Sequence, residues 1–537
     1  MTTLPDLPTI SGDRRRWSNL PEAAETHAIA EFVSAHEGMV LVIASDTLGA
    51  ERLHDELQFF LGSNKTILHL PDWETLIYDG FSPHQDIISE RLDVLNQLAV
   101  LESGIVVIPA TTLSQRMAPA QFILGSSLVL SKGQKFDIPL MRRRLQGAAY
   151  RSVETVYEHG EYAVRGAIMD IFPMGSDFPY RVDLFDDEID TLRTFDPETQ
   201  RSLEQVDEIS LLPAREFPLN SDAINQFKDQ WFLKFQGDPR SCPVYRDVAQ
   251  GLSPAGIEYY LPLFFEGLES LFDYLPDDTL VFCDDIEPKL EAYWQETEDR
   301  YENLRYDIQK PILPPRDILM PLDELFARLK QYPRVDFRAT PQDKGRVFDY
   351  VFDYKLLQDL TINERSQTPL DALKQFVDGS TDRLLITTES NGRREVVDDL
   401  LARQGLSTKV VEDWQSFIED DCELAITVAP LDRPLAIGNI AMITERQLFG
   451  DRVLQKRRRD REKENFAELA IKSLTELSIG APVVHIDNGI GRYQGLQTLT
   501  IDGQETEFLT LLYQEDAKLY VPVSSLHLIS RYTGAEE

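Results

Sequence analysis

PVVHIDNGIGRYQGLQTLTIDGQETEFLTLLYQEDAKLYVPVSSLHLISRY, residues 482–532, is the stretch that decides how this chain is read. Its apolar residues fall in short alternating runs broken by Gly, Asn and Asp, the pattern of strands joined by tight turns. Asp502-Gly503 separates two such runs, residues 496–501 and 505–513. A two-residue hairpin turn needs positive φ at its centre, and Asp-Gly adopts it cheaply, so a β-hairpin is predicted here. A small, Gly-punctuated β module closing a long acidic chain points to a docking domain.

Working outward, 537 residues exceed what one core can organise, and about three to five domains are expected. The 54 Lys and Arg against 91 Asp and Glu leave a net charge of −37. That balance argues against a broad grip on a phosphate backbone, which needs clustered cations. It suits either protein partners with basic faces or plain solubility. Cys242, Cys283 and Cys422 lie far apart, with neither metal-ligand spacing nor a disulfide framework, which fits a reducing compartment. The N-terminal MTTLPDLPTISGDRRRW has no apolar run after its basic cluster, and no segment reaches membrane-span length. A soluble cytoplasmic chain without a membrane partner is expected.

Six segments emerge. Residues 1–126 alternate strand and helix patterns: MVLVIAS at 39–45, a helix over about 48–60, then strands at 66–70 and 105–110. Residues 127–213 turn β-rich, and 214–350 return to helices with one strand, LVFCDD, at 280–285. A polar stretch near 335–370 reads as containing a linker. Residues 351–453 hold a strand–turn–helix unit at 384–404 and strands at 424–429 and 438–443. Residues 454–474, with LQKRRRDREKENF, read as a charged tether or exposed helix, and 475–537 form the β module. There is no internal repeat.

HIDNGIGRY at 485–493 and AKLYVPVSSLHLISRY at 517–532 resemble the RNA-polymerase-interacting module shared by CarD-type regulators and transcription-repair coupling factors. Family members usually carry His where Asn488 stands; Asn also tolerates the left-handed turn. The resemblance extends upstream through DWETLIYDGFSPHQDIISERL, HGEYAVRGAIMDIFPMGSDFPYRVDLFDDEIDTLRTFD, LLPAREFP and PAGIEYYLPLFF. It implies a multidomain α/β and α+β chain. Residues 1–126 and 214–350 would form a UvrB-like, degenerate nucleotide-binding α/β lobe with a UvrA-binding β-rich domain, 127–213, inserted. A small α/β domain and a C-terminal β-barrel of Tudor or SH3 type would follow. The implied partners are UvrA and the RNA polymerase β subunit. DNA would be held weakly, or only through a helicase-type motor that follows in full-length members. The sequence given ends at Glu537 before any motor motif, so as given it is expected neither to hydrolyse ATP nor to translocate. A C-terminal domain covers the UvrA-binding face in the intact family, so constitutive UvrA binding is expected here. Nothing matches the long aromatic-tipped hairpin with which UvrB engages damaged DNA.

A UvrB-like lobe should carry a phosphate loop, with glycines so that backbone N–H groups close around phosphate and a Lys-Ser/Thr pair for charge and metal. The corresponding segment, NLPEAAETHAIAEF at 19–32, has neither Gly nor Lys and brings Glu22 and Glu25, which repel phosphate. Gly62-Ser63-Asn64-Lys65-Thr66 lacks the upstream glycine and reads as a turn. LVFCDD reads as a buried strand rather than a metal-bearing one, and Asn391-Gly392-Arg393-Arg394 as an exposed helix start. The eight histidines do not cluster, and His485 reads as packed or capping. Asp186-Asp187 and Asp284-Asp285, if on strands, would point apart. No catalytic residue, cofactor or metal site is therefore expected.

Two candidate docking surfaces remain. In PYRVDLFDDE, strand parity puts Arg181, Asp183 and Phe185 on one face and Val182 and Leu184 on the other. An aromatic beside a guanidinium has the composition of an interface hot spot, but pattern alone equally allows Phe185 to pack under a loop. The resemblance implies that Arg165, Arg181 and Phe185 contact UvrA, with Arg165 reaching acidic groups in two-point fashion. Leu499 matches a polymerase-contact position; it shares parity with polar Gln497 and with apolar Ile501, so outward and inward readings both stand, and Gly495 could introduce a bulge that resets the face. A non-enzymatic adaptor is the favoured reading. A divergent ATPase or helicase and a CarD-like regulator with an unrelated front end are the alternatives.

Overall fold

The computed structural model describes residues 6–340, 349–357, 360–361, 370–379, 383–429, 431–449, 482–485, 489–501, 504–513, 517–522 and 529–531. It divides into two units, residues 1–358 with 374–444, and residues 359–373 with 445–537.

The first unit is organised by a seven-stranded parallel sheet. From one edge its strands are Tyr350–Val351, Arg14–Ser18, Arg334–Phe337, Leu280–Cys283, Met39–Ala44, Gly104–Pro109 and Ile67–His69. MVLVIA and GIVVIP are buried at every position, as strands covered on both faces must be. Helix Thr47–Leu61 follows its strand directly, started by Asp46, whose side chain accepts from the Gly49 N–H at 2.7 Å. Two strands are not legible in the sequence. RRRWS reads as a basic cluster, and RVDF falls where a linker is expected, yet Arg334–Phe337 is a buried strand between Arg14–Ser18 and Leu280–Cys283. Its charges are paired: Asp336 forms an ion pair with Arg334, 2.9 Å from its Nε, and accepts a hydrogen bond from Arg14 Nε. Trp17, Val335 and Phe337 supply the apolar side. Burial of charge is tolerable only with such partners, and sequence pattern does not display them.

A six-stranded sheet is set into this lobe, in the order Ser202–Val206, Glu188–Phe195, Tyr180–Phe185, Ile168–Ile171, Glu161–Arg165 and Arg151–Ser152. One face, with Tyr162, Met169, Val182, Ile189 and Leu192, joins the core that also holds Leu41, Val106 and Leu95 of the parallel-sheet layer. An aromatic cluster including Trp73, Phe217, Phe227, Trp231 and Tyr260 forms a further core. Buried Arg91 ties it to helix Gln85–Leu98, donating to Glu216 at 2.6 Å and to the Pro71 carbonyl at 2.7 Å. The small α/β region has a five-stranded sheet in the order Lys409–Val410, Leu424–Val428, Arg383–Thr388, Ile440–Thr444 and Leu435–Ile437. Its Trp414, Phe417 and Leu435 share one core with Val33, Phe60 and Leu61 of the lobe.

The second unit carries a five-stranded antiparallel sheet, in the order Lys518–Pro522, Gln504–Leu512, Gly489–Ile501, Pro482–His485 and Ile529–Arg531. Val483, Tyr493, Leu509, Leu511, Val521 and Ile529 form its core. Ile501 pairs with Gln504 at the end of an antiparallel ladder; the Asp502-Gly503 turn itself lies outside the described residues. Gly495, at φ +116°, lies where the register shifts from Tyr493, which is the bulge expected there. His485 is buried on its strand, as expected. Asn488 and the 454–474 tether lie outside the described residues. Among the described residues, no helix is long and apolar enough to cross a membrane.

Candidate functional site

The segment where a phosphate loop is expected, residues 19–32, is packed against other parts of the chain. Strand Arg14–Ser18 leads through residues 19–23 into helix Ala24–Val33, the strand–loop–helix path of a nucleotide site. Asn19 and Glu22 hold positive φ, conformations that glycine takes more cheaply. Asn19 donates to the Phe352 carbonyl at 2.6 Å. At the helix start, the Ala23 N–H bonds the Pro434 carbonyl at 3.2 Å, so a donor that would face phosphate is occupied. Arg433 enters beside it from the small α/β region. It donates to both oxygens of Glu56 (2.8 and 2.6 Å), to Thr26 at 3.2 Å, and to Glu25. Burial pushes the Glu25 carboxyl above its usual range despite Arg433, and burial raises Glu22 as well. One cation thus serves two buried carboxylates, an arrangement that repels phosphate.

The acidic strand end behaves similarly. Asp284-Asp285 follow strand Leu280–Cys283 rather than lying on it, and Asp285 accepts from Arg338 at 3.0 Å. Among the residues lining the adjoining cavity of about 270 Å³, Arg14 and Arg334 pair with Asp336, and Arg338 with Asp285. Among the described residues, no group of three His, Cys, Asp or Glu could hold a metal ion.

The outer face of the six-stranded sheet is built differently. Cross-strand register aligns Ala163, Asp170, Arg181, Arg193 and Gln205 in one row, and Arg165, Ile168, Asp183 and Thr191 in the next. Asp170 is completely buried and sits at the centre. It accepts from Arg181 Nε at 2.7 Å and Nη2 at 2.8 Å, and from Arg165 Nη2 at 2.6 Å. These hydrogen bonds hold Arg181 above its ordinary pKa. Asp183 binds Arg193 and Thr191 in a parallel rung. Opposite charges directly across strands stabilise the pairing and fix side-chain direction.

Arg165 and Phe185 come together at one end of this sheet. Arg165 closes strand Glu161–Arg165 before a turn at Gly166 (φ +62°), and Phe185 closes strand Tyr180–Phe185 before a turn at Asp186 (φ +55°). The Leu184 N–H bonds the Ala167 carbonyl at 2.9 Å, so the two turns are neighbours. Val182 is buried, Leu184 packs against the core, and Phe185 is 74% exposed, which excludes packing under a loop. Two expectations need correction. The guanidinium of Arg181 stacks on Phe195, 4.6 Å from its ring centre, rather than beside Phe185, because Arg181 and Phe185 lie four residues apart along the strand. Asp186-Asp187 form the turn itself, since Asp186 takes the left-handed conformation, and do not lie on a strand. Asp170 was missed in the sequence; the hairpin around Gly166 places it opposite Ala163, and a charged residue among apolar ones in IMDIF is the signal that could have found it.

In the terminal sheet, Leu499 lies on strand Gly489–Ile501 opposite Thr506; its side chain lies outside the described residues. Gln497 and Leu496 nearby are exposed.

Three family models match the chain: the UvrB interaction domain over residues 128–217, the MFD D3 domain over 376–448, and the CarD-like/TRCF RID domain over 477–533. Sheet and matches together define a multidomain chain joining a UvrB-type interaction module to a CarD-like module. It is similar to transcription-repair-coupling factors along nearly its whole length. It is 43% identical to the transcription-repair-coupling factor of Escherichia coli strain K12 over 533 residues, covering 99% of this chain and 46% of that protein. The Haemophilus influenzae factor is 41% identical over 540 residues, with 99% and 46% covered, and the Bacillus subtilis factor 25% identical over 519, with 93% and 43% covered. The chain spans a little under half the length of these relatives.

Proposed function

We propose that this chain is a docking adaptor of transcription-coupled excision repair, binding UvrA through residues 127–213 and the RNA polymerase β subunit through residues 475–537. The observation that carries this reading is that exposed Arg165 and exposed Phe185 close two strands at the same end of the sheet, flanking the Ile168–Ile171 strand, inside the segment matched by the UvrB interaction model. An exposed aromatic beside a guanidinium, on a rigid sheet, is the composition of an interface anchor. In this reading residues 1–126 and 214–350 are a scaffold lobe without nucleotide chemistry, residues 351–453 brace it, and the terminal sheet curls into a small barrel. The cluster around Arg433 supports a scaffold over an ATPase.

Replacing Phe185 and Arg165 together by Ala is expected to abolish capture of UvrA in a pull-down while leaving circular dichroism unchanged. Undiminished capture by the double variant overturns the assignment. For the second surface, Leu499→Arg is expected to remove co-elution with RNA polymerase, because a charge would be desolvated in an apolar contact. Retained co-elution counts against Leu499 as an anchor.

A further inference from the structure

The two arginines at the sheet end hold different positions, and their bonding assigns them different work. Arg181 is spent within the fold. Its Nε and one Nη bond Asp170, its Nη1 reaches the Gln200 carbonyl at 3.4 Å, its plane lies on Phe195, and its side chain is only 16% exposed. Arg165 gives Asp170 one N–H, and its side chain is 53% exposed. Among the described residues, its other N–H groups have no acceptor within the chain.

We propose that Asp170 is the positioning residue of this surface: it locks Arg181 as an internal strut and aims Arg165, beside Phe185, at a carboxylate or carbonyl oxygen of the partner. The proposal rests on the docking reading given above and deepens it. A guanidinium free on a turn samples many rotamers, and docking must then arrest it. Tethering one N–H to a fully buried carboxylate removes most of that freedom before the partner arrives, leaving donors in a fixed plane. Asp170 can serve both arginines because its two oxygens offer about four acceptor directions. It holds position because its strand is paired on both sides, to Glu161–Arg165 and to Tyr180–Phe185. Two guanidinium groups share one carboxylate, so the cluster keeps a net positive charge and unused donors. The partner patch that fits has an oxygen acceptor next to an apolar recess for the Phe185 ring.

The test is UvrA affinity, measured on immobilised chain for the wild type, Asp170→Asn, Arg165→Ala and the double variant, with thermal unfolding of each. Asp170→Asn is expected to weaken binding about tenfold to thirtyfold, the scale of a misdirected charged hydrogen bond. If Asp170 acts through Arg165, the double variant binds within about twofold of Arg165→Ala alone, whereas independent contributions multiply. A purely structural role would lower the unfolding temperature without that non-additivity. Should Asp170→Asn fail to fold, Arg181→Lys takes its place: it keeps the charge and loses the two-point grip on Asp170, and the same loss and non-additivity with Arg165→Ala are expected. Binding by Asp170→Asn within twofold of wild type, or multiplicative losses, overturns the positioning role while leaving the docking reading intact. If wild type itself does not bind UvrA, the docking reading falls and this assignment with it.

Discussion

The Arg433 cluster and the Asp170 cluster use the same chemistry in opposite proportion. At the first, one guanidinium meets two carboxylates, Glu25 and Glu56, in the interior. At the second, two guanidinium groups meet one carboxylate, buried Asp170, on the outer face of a sheet, and one of them, Arg165, is exposed. Excess acceptors in a closed place make a seal: Arg433 donates from all three of its nitrogens to Glu25, Glu56 and Thr26, and the second carboxylate is left to repel an anion. Excess donors at an exposed face suit the docking role proposed for it, since Arg165 keeps N–H groups to offer. What separates the sealed cluster from the proposed docking site is therefore the stoichiometry and exposure of charge rather than residue type.

The comparison predicts that the sealed cluster governs stability and the open one governs binding. The largest expected effect on stability is that of Arg433→Ala, which strands two buried carboxylates. Denaturant unfolding should show a loss of about 3–5 kcal/mol, the range for removing one partner of a buried pair. Adding Glu25→Gln and Glu56→Gln should recover much of it; a single variant as stable as wild type breaks the comparison.

Next comes a pH effect at the same junction. His27 lies in the interior between lobe and small α/β region, 2.9 Å from the Tyr354 hydroxyl and edge-on to Phe60 and Trp414. Burial lowers its pKa to about 4. Its folded-state value is thus below the unfolded one, and the unfolded chain takes up the proton first. Its contribution is complete above about pH 6.5 and is lost as pH falls toward 4, by roughly 3 kcal/mol at most. His27→Phe should flatten that part of the stability profile; an unchanged slope between pH 6.5 and 4 refutes the assignment.

The smallest expected effect sharpens the contrast. Phe185→Ala removes an exposed ring, so unfolding free energy should stay within about 0.5 kcal/mol of wild type even as UvrA capture drops. A large loss of stability would mean that the ring packs against the fold and that the sheet end is not open.

Much of the architecture was legible. The apolar runs at 39–44 and 104–109, the strand–turn–helix unit beginning at Arg383, the Asp502-Gly503 hairpin and the Gly495 bulge each announce themselves through local pattern. Strands Arg14–Ser18 and Arg334–Phe337 did not, because their pattern is broken by charges, Arg14 on one and buried Arg334 on the other, whose partner, Asp336, neutralises them only in three dimensions. At the docking end, parity placed Phe185 outward and Val182 inward correctly. It could not place the Arg181 guanidinium, whose length lets it reach Phe195 on the neighbouring strand.

By itself the sequence determined where the strongly patterned strands and turns form, that the segment before helix Ala24–Val33 has no glycine or lysine for phosphate, and that Phe185 falls on the opposite strand face from Val182. Local sterics and side-chain periodicity act within a few residues, and a linear reading captures them. Only the tertiary structure decided that Arg433, some four hundred residues away, packs against that helix, and that Asp170 binds both Arg165 and Arg181. Ion pairs between distant segments depend on how sheets and domains are stacked, and distance along the chain carries no record of it.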